Sequence, residues 1–281
     1  KDGWTIESER NATSYVRRSK RPAVLQRADF AYPPPHSCVN AFSPLVLQDT
    51  RTHLEENSMN LLVISGGRHP YEESTPVLEA FLKGAGHDVT VTDDPSVLAD
   101  SGAMGGYDAL VFNTLRAGDT TLSESEQSGM KAFISGGKGF VCVHISGVVP
   151  ETWQEYLEMT GGGWVMGTSY HPPFCNYTVN VTQPGHPGVA GVSDFNTDDE
   201  LYMGVDYQDG NDVYMTGTSE DGTWPWGGKD TFMAGGTFPL GWTRSYGDGK
   251  VFVTLLGHDG KSQESPEFQK IVLNGVDWAT S

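Results

Sequence analysis

The stretch LLVISGG, residues 61–67, decides the fold. Four large apolar residues run together without the alternation of a half-exposed strand, and a serine and two glycines end the run. This pattern is typical of a short parallel strand that is buried on both faces and leads into a tight turn. It predicts a central sheet whose first strand includes residues 61–64.

The residues after this strand alternate between helix and strand signals. Residues 73–86 carry apolar side chains at helical spacing, and residues 123–135 begin with Ser123 and Glu126, a capping box typical of a helix N-terminus. Short apolar runs predict further strands at residues 89–91, 109–112 and 139–143. Strands that alternate with helices connect by right-handed crossovers, so we expect a doubly wound parallel sheet.

The second half of the chain is richer in strand signals. Residues 240–243 and 251–255 flank the turn residues 247–249, Gly-Asp-Gly, which predicts a β-hairpin. Two further strand candidates are residues 177–181 and 213–215, and a last helix is predicted over residues 265–278. The fold class that follows is α/β with a β-rich second half.

The first 58 residues differ in composition from the rest. The net charge of residues 1–58 is +1, and that of residues 59–281 is −19, which together give the total of −18. They contain a basic cluster at residues 17–21 and three consecutive prolines at residues 33–35, with little hydrophobic periodicity. We interpret residues 1–58 as an extension, poorly ordered or draped over the domain, and residues 59–281 as one domain.

The charge and the cysteine count limit the partners and the compartment. A strongly acidic domain repels nucleic acids and anionic membranes, whereas a neutral, hydroxyl-rich ligand is compatible with its field. The sequence contains no run of 18 apolar residues, so no membrane helix is expected. Three cysteines without a CxxC motif do not make a disulfide framework, and a cytoplasmic location is the expectation.

Three histidines follow predicted strands closely. His69 comes after the first strand, His144 after residues 139–143, and His258 after the hairpin strand. In open parallel sheets, ligands bind beyond the carboxyl ends of the strands. We therefore expect these three side chains to approach one another at one edge of the sheet, although a single histidine at a strand end is often only structural.

Several short motifs, in order across residues 60–281, carry a family resemblance. They are Gly66–His69, Gly136–His144, His171–Phe174, Gly185–Pro187, Asp199–Tyr202, Trp242–Arg244, Gly257–His258 and Gly275–Ala279. Together they resemble the ThuA-like (trehalose utilisation) family. The resemblance implies a flavodoxin-like sheet of the class I glutamine amidotransferase type. Residues 1–58 lie outside it.

The resemblance also indicates which residue takes the position of the nucleophile of class I amidotransferases. In class I amidotransferases a cysteine in the turn after the fourth strand attacks the substrate, and here His144 takes that position. Cys142 lies two residues earlier, within the predicted strand, where we expect it to be buried and structural. A thiol-based reaction through Cys142 remains an alternative to be tested by its reactivity.

The candidate catalytic and metal-binding residues are mainly histidines. His144 is the principal candidate, as a general base or a metal ligand, and Glu200 is its candidate carboxylate partner. With His69, His171 and His258 they form a nitrogen and oxygen donor set that suits Zn²⁺ or a similar divalent ion. No two of these residues have HxxxH spacing, so a metal-free polar cleft is the alternative.

A second group of candidates concerns substrate binding. Aromatic faces stack on sugar rings, so Trp242 and Tyr202, together with His69, are candidate substrate contacts. Arg244 is a candidate catalytic residue that binds a substrate hydroxyl or carboxylate, and its alternative role is pairing with a local acid. Residues 224–226, Trp-Pro-Trp, lie in a stretch rich in glycine, and we expect an exposed loop there.

The family resemblance sets the leading functional hypothesis. It implies a protein of carbohydrate metabolism that acts on a disaccharide or keto-sugar derivative at a histidine-rich cleft. A sugar-processing enzyme is favoured, and the alternatives are a thiol hydrolase using Cys142 and a non-catalytic carbohydrate-binding module. The expected partner is a small sugar, with no nucleic acid or membrane. A homo-oligomer is expected only by analogy with related folds.

Overall fold

The computed structural model describes residues 58–144, the backbone of residues 147–148, and residues 153–281. The predicted extension therefore lies outside the described residues, apart from Ser58. Within the described ranges, none of the helices has both the length and the apolar character that crossing a bilayer requires.

Six α-helices occur in the described residues. They are α1 (Tyr71–Gly84), α2 (Ser101–Met104), α3 (Glu124–Ser135), α4 (Glu155–Thr160), α5 (Gly260–Gln263) and α6 (Pro266–Thr280). Three short 3-10 helices are Pro95–Ala99, Gly118–Thr120 and Pro187–Val189. The predicted capping box opens α3, because the Ser123 hydroxyl accepts from the Glu126 N–H and the Glu126 carboxylate accepts from the Ser123 N–H.

The strands outnumber the helices. They are β1 (Asn60–Gly67), β2 (Asp88–Thr92), β3 (Ala109–Arg116), β4 (Gly139–Val143), β5 (Gly147–Val148), β6 (Gly162–Gly163), β7 (Cys175–Val181), β8 (Phe195–Asp199), β9 (Asp206–Tyr207), β10 (Asp212–Ser219), β11 (Gly222–Trp226), β12 (Lys229–Met233), β13 (Gly236–Tyr246) and β14 (Gly249–Thr254).

One large sheet with the order β2-β1-β3-β4-β14-β13-β10-β7-β8 organises the domain. The pairs from β2 to β14 are parallel, and the pairs from β14 to β8 are antiparallel. The short β5 adds to the end of β3. The parallel part has the flavodoxin-like order 2-1-3-4-5, with β14 as its fifth strand. The predicted α/β, flavodoxin-like fold with a β-rich second half is confirmed.

The main helices cover the parallel part of the sheet. Across the sheet, β2 lies on one side of β1, whereas β4 lies on the other side of β3. Because both connections are right-handed, α1 and α3 lie on opposite faces of the sheet. The last helix, α6, packs beside α1, where the rings of Phe81 and Phe268 meet edge to face at 6.2 Å. The centre of β1 and almost all of β3 and β4 are consequently buried.

The antiparallel part of the sheet departs more from the sequence expectations. The hairpin of β13 and β14 is confirmed around Gly247 and Asp248. Strand β8 was not predicted. The expected loop at residues 224–226 is wrong, because these residues form β11, which pairs with β12 in a separate two-stranded sheet. Alternate residues of β11 face a small cluster of Leu201, Met203 and Met233.

Candidate functional site

Three histidines lie beyond the carboxyl ends of parallel strands. His69 follows β1, His144 follows β4 and His258 follows β14. The turn after β1 depends on Gly67, which has a φ of +110°, and a Cβ there would lie 2.0 Å from the Leu115 carbonyl oxygen. Only glycine fits this turn, which directs the chain towards His69.

His144 has a strained backbone. Its φ of 52° lies in the left-handed region, and no other non-glycine residue among the described residues has a positive φ. Such a conformation costs about 1–3 kcal/mol for a non-glycine residue. It is held by a hydrogen bond from the His144 N–H to the Thr254 carbonyl at 2.8 Å. The sharp turn directs the imidazole into the space above the sheet edge.

Glu200 and Tyr202 reach the same space from the antiparallel side. Both follow β8, the last strand of the sheet, and both are buried. Asp199 connects this strand to the parallel part, because its carboxylate accepts backbone N–H groups of Gly257 at 2.6 Å and His258 at 3.3 Å. It also accepts the N–H of Glu200 at 2.8 Å. This one carboxylate therefore fixes the spacing between Glu200 and His258.

The side chains converge closely. His258 Nδ1 lies 3.1 Å from Glu200 Oε2 and 3.3 Å from His144 Nε2, and His144 Nε2 lies 3.8 Å from Glu200 Oε2. Tyr202 Oη lies 2.7 Å from His144 Nε2 and 3.3 Å from His69 Nε2. The structure thus brings together His69, His144, Glu200, Tyr202 and His258.

The hydrogen bonds assign the proton positions. His144 Nδ1 lies 2.9 Å from the Leu255 carbonyl oxygen, which can only accept, so Nδ1 carries the hydrogen. In the neutral ring, Nε2 therefore has a free lone pair that faces the cluster. The Tyr202 hydroxyl donates to this lone pair, and its oxygen accepts from His69 Nε2–H.

Burial and neighbouring charges set the charge states. Burial, followed by the nearby His69 and His258, holds the pKa of His144 well below its ordinary value, and burial likewise lowers the pKa of His69. Burial also opposes the charged form of Glu200, but the hydrogen bond from His258 and the neighbouring imidazoles outweigh it, so the pKa of Glu200 is lowered.

His258 and Asp199 shift in the other direction. Burial acts to lower the pKa of His258, but the hydrogen bond to Glu200 and its charge raise that pKa overall. Burial raises the pKa of Asp199 to about 7, although the three backbone N–H groups favour its charged form. At neutral pH the imidazoles of His69 and His144 are therefore neutral. They lie beside His258 and Glu200, which are paired with each other.

The donor set fits a divalent metal ion. One donor atom from each of His69, His144, Glu200 and His258 can be chosen so that all four lie within 4.8 Å of one another. A tetrahedral Zn²⁺ with metal–nitrogen bonds of about 2.0–2.1 Å separates its ligands by about 3.3 Å, close to several distances in the cluster. Ligand histidines commonly donate their other nitrogen to a backbone carbonyl, as His144 does to Leu255.

His171, the other predicted ligand, occupies a different position. Its Nε2 lies 3.5 Å from Glu200 Oε1, on the opposite carboxylate oxygen from His144 and His258. Its Nδ1 donates to the Pro172 carbonyl at 2.7 Å. His171 is not in the group of four donors. It lies beside that group, next to the Glu200 carboxylate.

Aromatic side chains contact Tyr202, His258 and the neighbouring His171. The Trp226 ring meets the His171 ring edge to face at 4.8 Å, and Trp164 meets the Tyr202 ring at 4.7 Å. Phe174, which is partly exposed, lies 5.7 Å from the His258 ring. Trp164, Phe174 and Trp226 form what we call the aromatic rim. They come from the β6–β7 connection and from β11.

Two predicted site residues lie elsewhere. Trp242 is fully buried, and its indole N–H donates to the Thr160 carbonyl at 2.7 Å, so it is a core residue rather than a substrate contact. Arg244 pairs with Val251 at the start of β14, whereas the cluster lies beyond the end of that strand. Its guanidinium donates to Asn211 at 2.8 Å, so this arginine has a local structural partner.

Cys142 lies within β4, as expected, and is 2% exposed. Its sulfur is 3.7 Å from the Tyr156 hydroxyl. A nucleophilic thiol must be reached by substrate, and this burial does not allow that approach.

Two contributors were missed by sequence reasoning. In the sequence, Asp199 stands out only as the first residue of the motif Asp199–Tyr202, and no sequence pattern indicates the Leu255 carbonyl. The only available signal for Asp199 was its position directly before Glu200. Its partners lie nearly sixty residues further along the chain, beyond the reach of local patterns.

Comparison with known proteins agrees with this fold. Two solved structures of ThuA-like proteins are similar: one from Parabacteroides merdae (TM-score 0.62, 22% identity, covering 80% of this chain and 91% of that one) and one from Bacteroides uniformis (0.58, 16%, 79% and 91%). A cytoplasmic protein from Salmonella typhimurium is also similar (0.52, 16%, 79% and 98%).

No curated protein sequence matches the chain. The family comparison is decisive, because residues 60–279 match the family described as ThuA, trehalose utilisation. The protein belongs to the ThuA family.

Proposed function

We propose that this protein is a sugar-processing enzyme that acts on a disaccharide or keto-sugar derivative at the histidine–glutamate cluster, with a divalent metal ion such as Zn²⁺. One observation carries the proposal: donor atoms of three histidines and Glu200 converge within 4.8 Å at the carboxyl edge of a flavodoxin-like sheet. Ligands bind at this edge in doubly wound folds.

The charge states of the cluster support metal binding. Metal ligands must be unprotonated imidazoles and carboxylates, and the lowered pKa values of His69, His144 and Glu200 favour those forms. A bound divalent ion would supply Lewis-acid polarisation of a carbonyl oxygen or a water of lowered pKa. Burial keeps the pKa of Tyr202 well above its ordinary value, so its hydroxyl stays protonated. Once the His144 Nε2 lone pair binds the ion, this hydroxyl would donate to another acceptor.

The sugar part of the proposal is supported by the aromatic rim. Trp226 and Trp164 stand beside His171 and Tyr202, where an apolar face of a sugar ring can stack while its hydroxyls reach the cluster. The acidic domain also favours a neutral ligand. The family description, trehalose utilisation, is consistent with a disaccharide. A cytoplasmic location is part of the proposal, in line with the Salmonella relative described as cytoplasmic.

The test combines metal analysis with sugar turnover. Protein purified without chelator, or reloaded with Zn²⁺, is expected to hold close to one ion per chain and to convert at least one disaccharide or keto-sugar. The variant His144→Ala should lose both properties. The matched control is His186→Asn, because His186 caps a short helix away from the cluster by accepting the Gly188 N–H, and asparagine keeps an acceptor there.

Each outcome has a defined meaning. Metal binding that survives His144→Ala would contradict the ligand assignment. Saturable sugar binding without any chemical change, in the metal-loaded protein, would instead make the protein a carbohydrate-binding module. Loss of both properties in His186→Asn as well would mean that the effect is on folding, which circular dichroism of the variants checks.

A further inference from the structure

A cavity of about 270 Å³ opens beside the cluster. It lies between the start of β7, the end of β10 and the hairpin of β11 and β12. The residues that matter for the argument are Pro172, Asn176, Leu201, Thr218, Glu220 and Trp224. None of the predicted site residues lines it.

The cavity and the cluster share a wall. Pro172 directly follows His171, and Leu201 directly follows Glu200, so the same two chain segments face both spaces. Tyr177, which also lines the cavity, donates its hydroxyl hydrogen to the Glu200 carbonyl at 3.4 Å. The two spaces are therefore neighbours along these segments, and a ligand of two linked rings that occupied both would pass over them.

Strand β11 runs from the cluster to the cavity. Trp226 meets the His171 ring, and Trp224, two residues earlier, lines the cavity. Residues two apart on a strand project from the same side, about 6.6 Å from each other. The two indoles thus provide successive stacking surfaces on one face of the hairpin.

The lining matches an uncharged sugar ring. Trp224 offers apolar surface for the C–H face of a ring, and the exposed Glu220 carboxylate offers an acceptor for its hydroxyls. Asn176 and Thr218 also line the cavity, and their side chains bond Asp198 and Thr237. The Glu220 carboxylate and the net charge of −18 disfavour a phosphorylated or carboxylated ligand. The volume is below the roughly 300–1,000 Å³ of pockets that enclose a whole drug-sized ligand, so it suits a single ring.

We propose that this cavity is the subsite for the second, uncharged ring of a disaccharide whose first ring lies at the cluster. This inference rests on the proposed function, since it assumes that a sugar binds there. It adds that the protein selects two-ring ligands and that Trp224 contributes to that selection without touching the reacting groups.

The first test uses Cys175, an exposed thiol that lines the cavity. Burial and Asp198 raise the pKa of this thiol, so alkylation by iodoacetamide is followed in mildly alkaline buffer. Peptide mass spectrometry reports the extent of labelling, and the buried Cys142 serves as an unreactive reference. Trehalose, maltose, cellobiose, lactose and glucose are compared on the metal-loaded protein, and calorimetry measures their binding in parallel.

A disaccharide that binds should slow alkylation of Cys175, and glucose should not. Calorimetric binding of a disaccharide without protection of Cys175, or equal protection by glucose, would overturn the subsite. If no sugar binds at all, the proposed function itself is contradicted, and this inference with it.

The second test uses a mutation to separate binding of the second ring in the cavity from metal binding at the cluster. Trp224→Ala should weaken disaccharide binding by roughly 5- to 10-fold, the loss expected for one aromatic stacking contact, and leave the metal affinity unchanged. The control is Phe232→Ala, because Phe232 lies on the opposite face of the same hairpin and is 65% exposed. Equal losses in both variants would mean that the hairpin matters only as a whole, which contradicts a specific role for Trp224.

Discussion

The parallel and antiparallel parts of the sheet contribute different chemistry. The parallel strands β1, β4 and β14 lead to three imidazoles at one edge. The antiparallel part supplies the carboxylate of Glu200, the hydroxyl of Tyr202 and part of the aromatic rim. The parallel part follows a widespread architecture, so the features that distinguish this site come from the part added to it. Neither part forms the cluster alone.

The junction between the two parts is correspondingly important. Strand β8 is four strands away from β14 in the sheet, yet Asp199 at its end binds the backbone just after β14. Ser262 reinforces the contact, because its hydroxyl donates to the Asp198 carbonyl at 2.9 Å. The antiparallel part is thereby held over the edge of the parallel part, and the cluster depends on this closure.

Removal of the carboxylate that comes from the antiparallel part should have the largest effect. In Glu200→Gln, the three histidines remain but lose the only anionic donor of the group, so the affinity for Zn²⁺ should fall by more than the roughly 10- to 100-fold typical of changes around a metal site. Competition with a fluorescent chelator measures it. Glu264→Gln removes an exposed carboxylate at the C-terminus of α5 and should leave the affinity unchanged. An unaltered affinity in Glu200→Gln would show that the histidines suffice.

Weakening of the junction should have the next largest effect on Zn²⁺ affinity. Asparagine at position 199 would place an amide N–H₂ against backbone donors, so Glu200 and His258 should lose their fixed separation. We expect Asp199→Asn to reduce Zn²⁺ affinity by about 10- to 100-fold while every ligand is retained. Asp198→Asn, which changes a half-buried neighbour that pairs with Lys261, is the matched control. If both variants bind Zn²⁺ like the parent protein, Asp199 has no positioning role.

The pH dependence distinguishes the histidines. The pKa of His258 is raised by its pair with Glu200, whereas the pKa values of His69 and His144 are lowered, so His258 is the first imidazole to be protonated as the pH falls. Because a metal competes with that proton, Zn²⁺ affinity should fall by close to 10-fold per pH unit once the pH drops below the pKa of His258. Calorimetry between about pH 5 and pH 8 tests this, and a pH-independent affinity would contradict the assignment.

The aromatic rim should have the smallest effect, confined to sugar binding. Trp226→Ala removes a stacking surface beside His171, so disaccharide affinity should fall by about 2- to 10-fold. Zn²⁺ affinity should not change, because Trp226 contacts no member of the four-donor group directly. Trp278→Ala, in α6, removes a tryptophan far along the chain from the rim and serves as the control for general effects on stability. A loss of metal binding in Trp226→Ala would mean that the rim supports the cluster itself.

The sequence predicted the parallel part well for a physical reason. Strands buried on both faces must be short apolar runs, and such runs are visible without knowledge of their partners. The positions of His69, His144 and His258 followed from the same runs, since the carboxyl ends of parallel strands meet at one edge. The structure brings these three together.

The antiparallel part was less predictable. Strand β8 is largely polar, and β11 contains Pro225 between two tryptophans, so neither resembles a typical strand. The prediction that Arg244 is a catalytic residue was wrong for a reason that the sequence already contained. Arg244 lies close to the hairpin turn, and the turn lies at the opposite end of β14 from the cluster, so the predicted hairpin already argued against a catalytic role for this residue.

The central claim is that both parts of the sheet bind one metal ion, and crystallography of the Zn²⁺-loaded protein at the zinc absorption edge tests it most directly. The account predicts a single strong anomalous peak within bonding distance of donors from His69, His144, Glu200 and His258. A peak bound only by residues of one part of the sheet, or located away from these four residues, would contradict it.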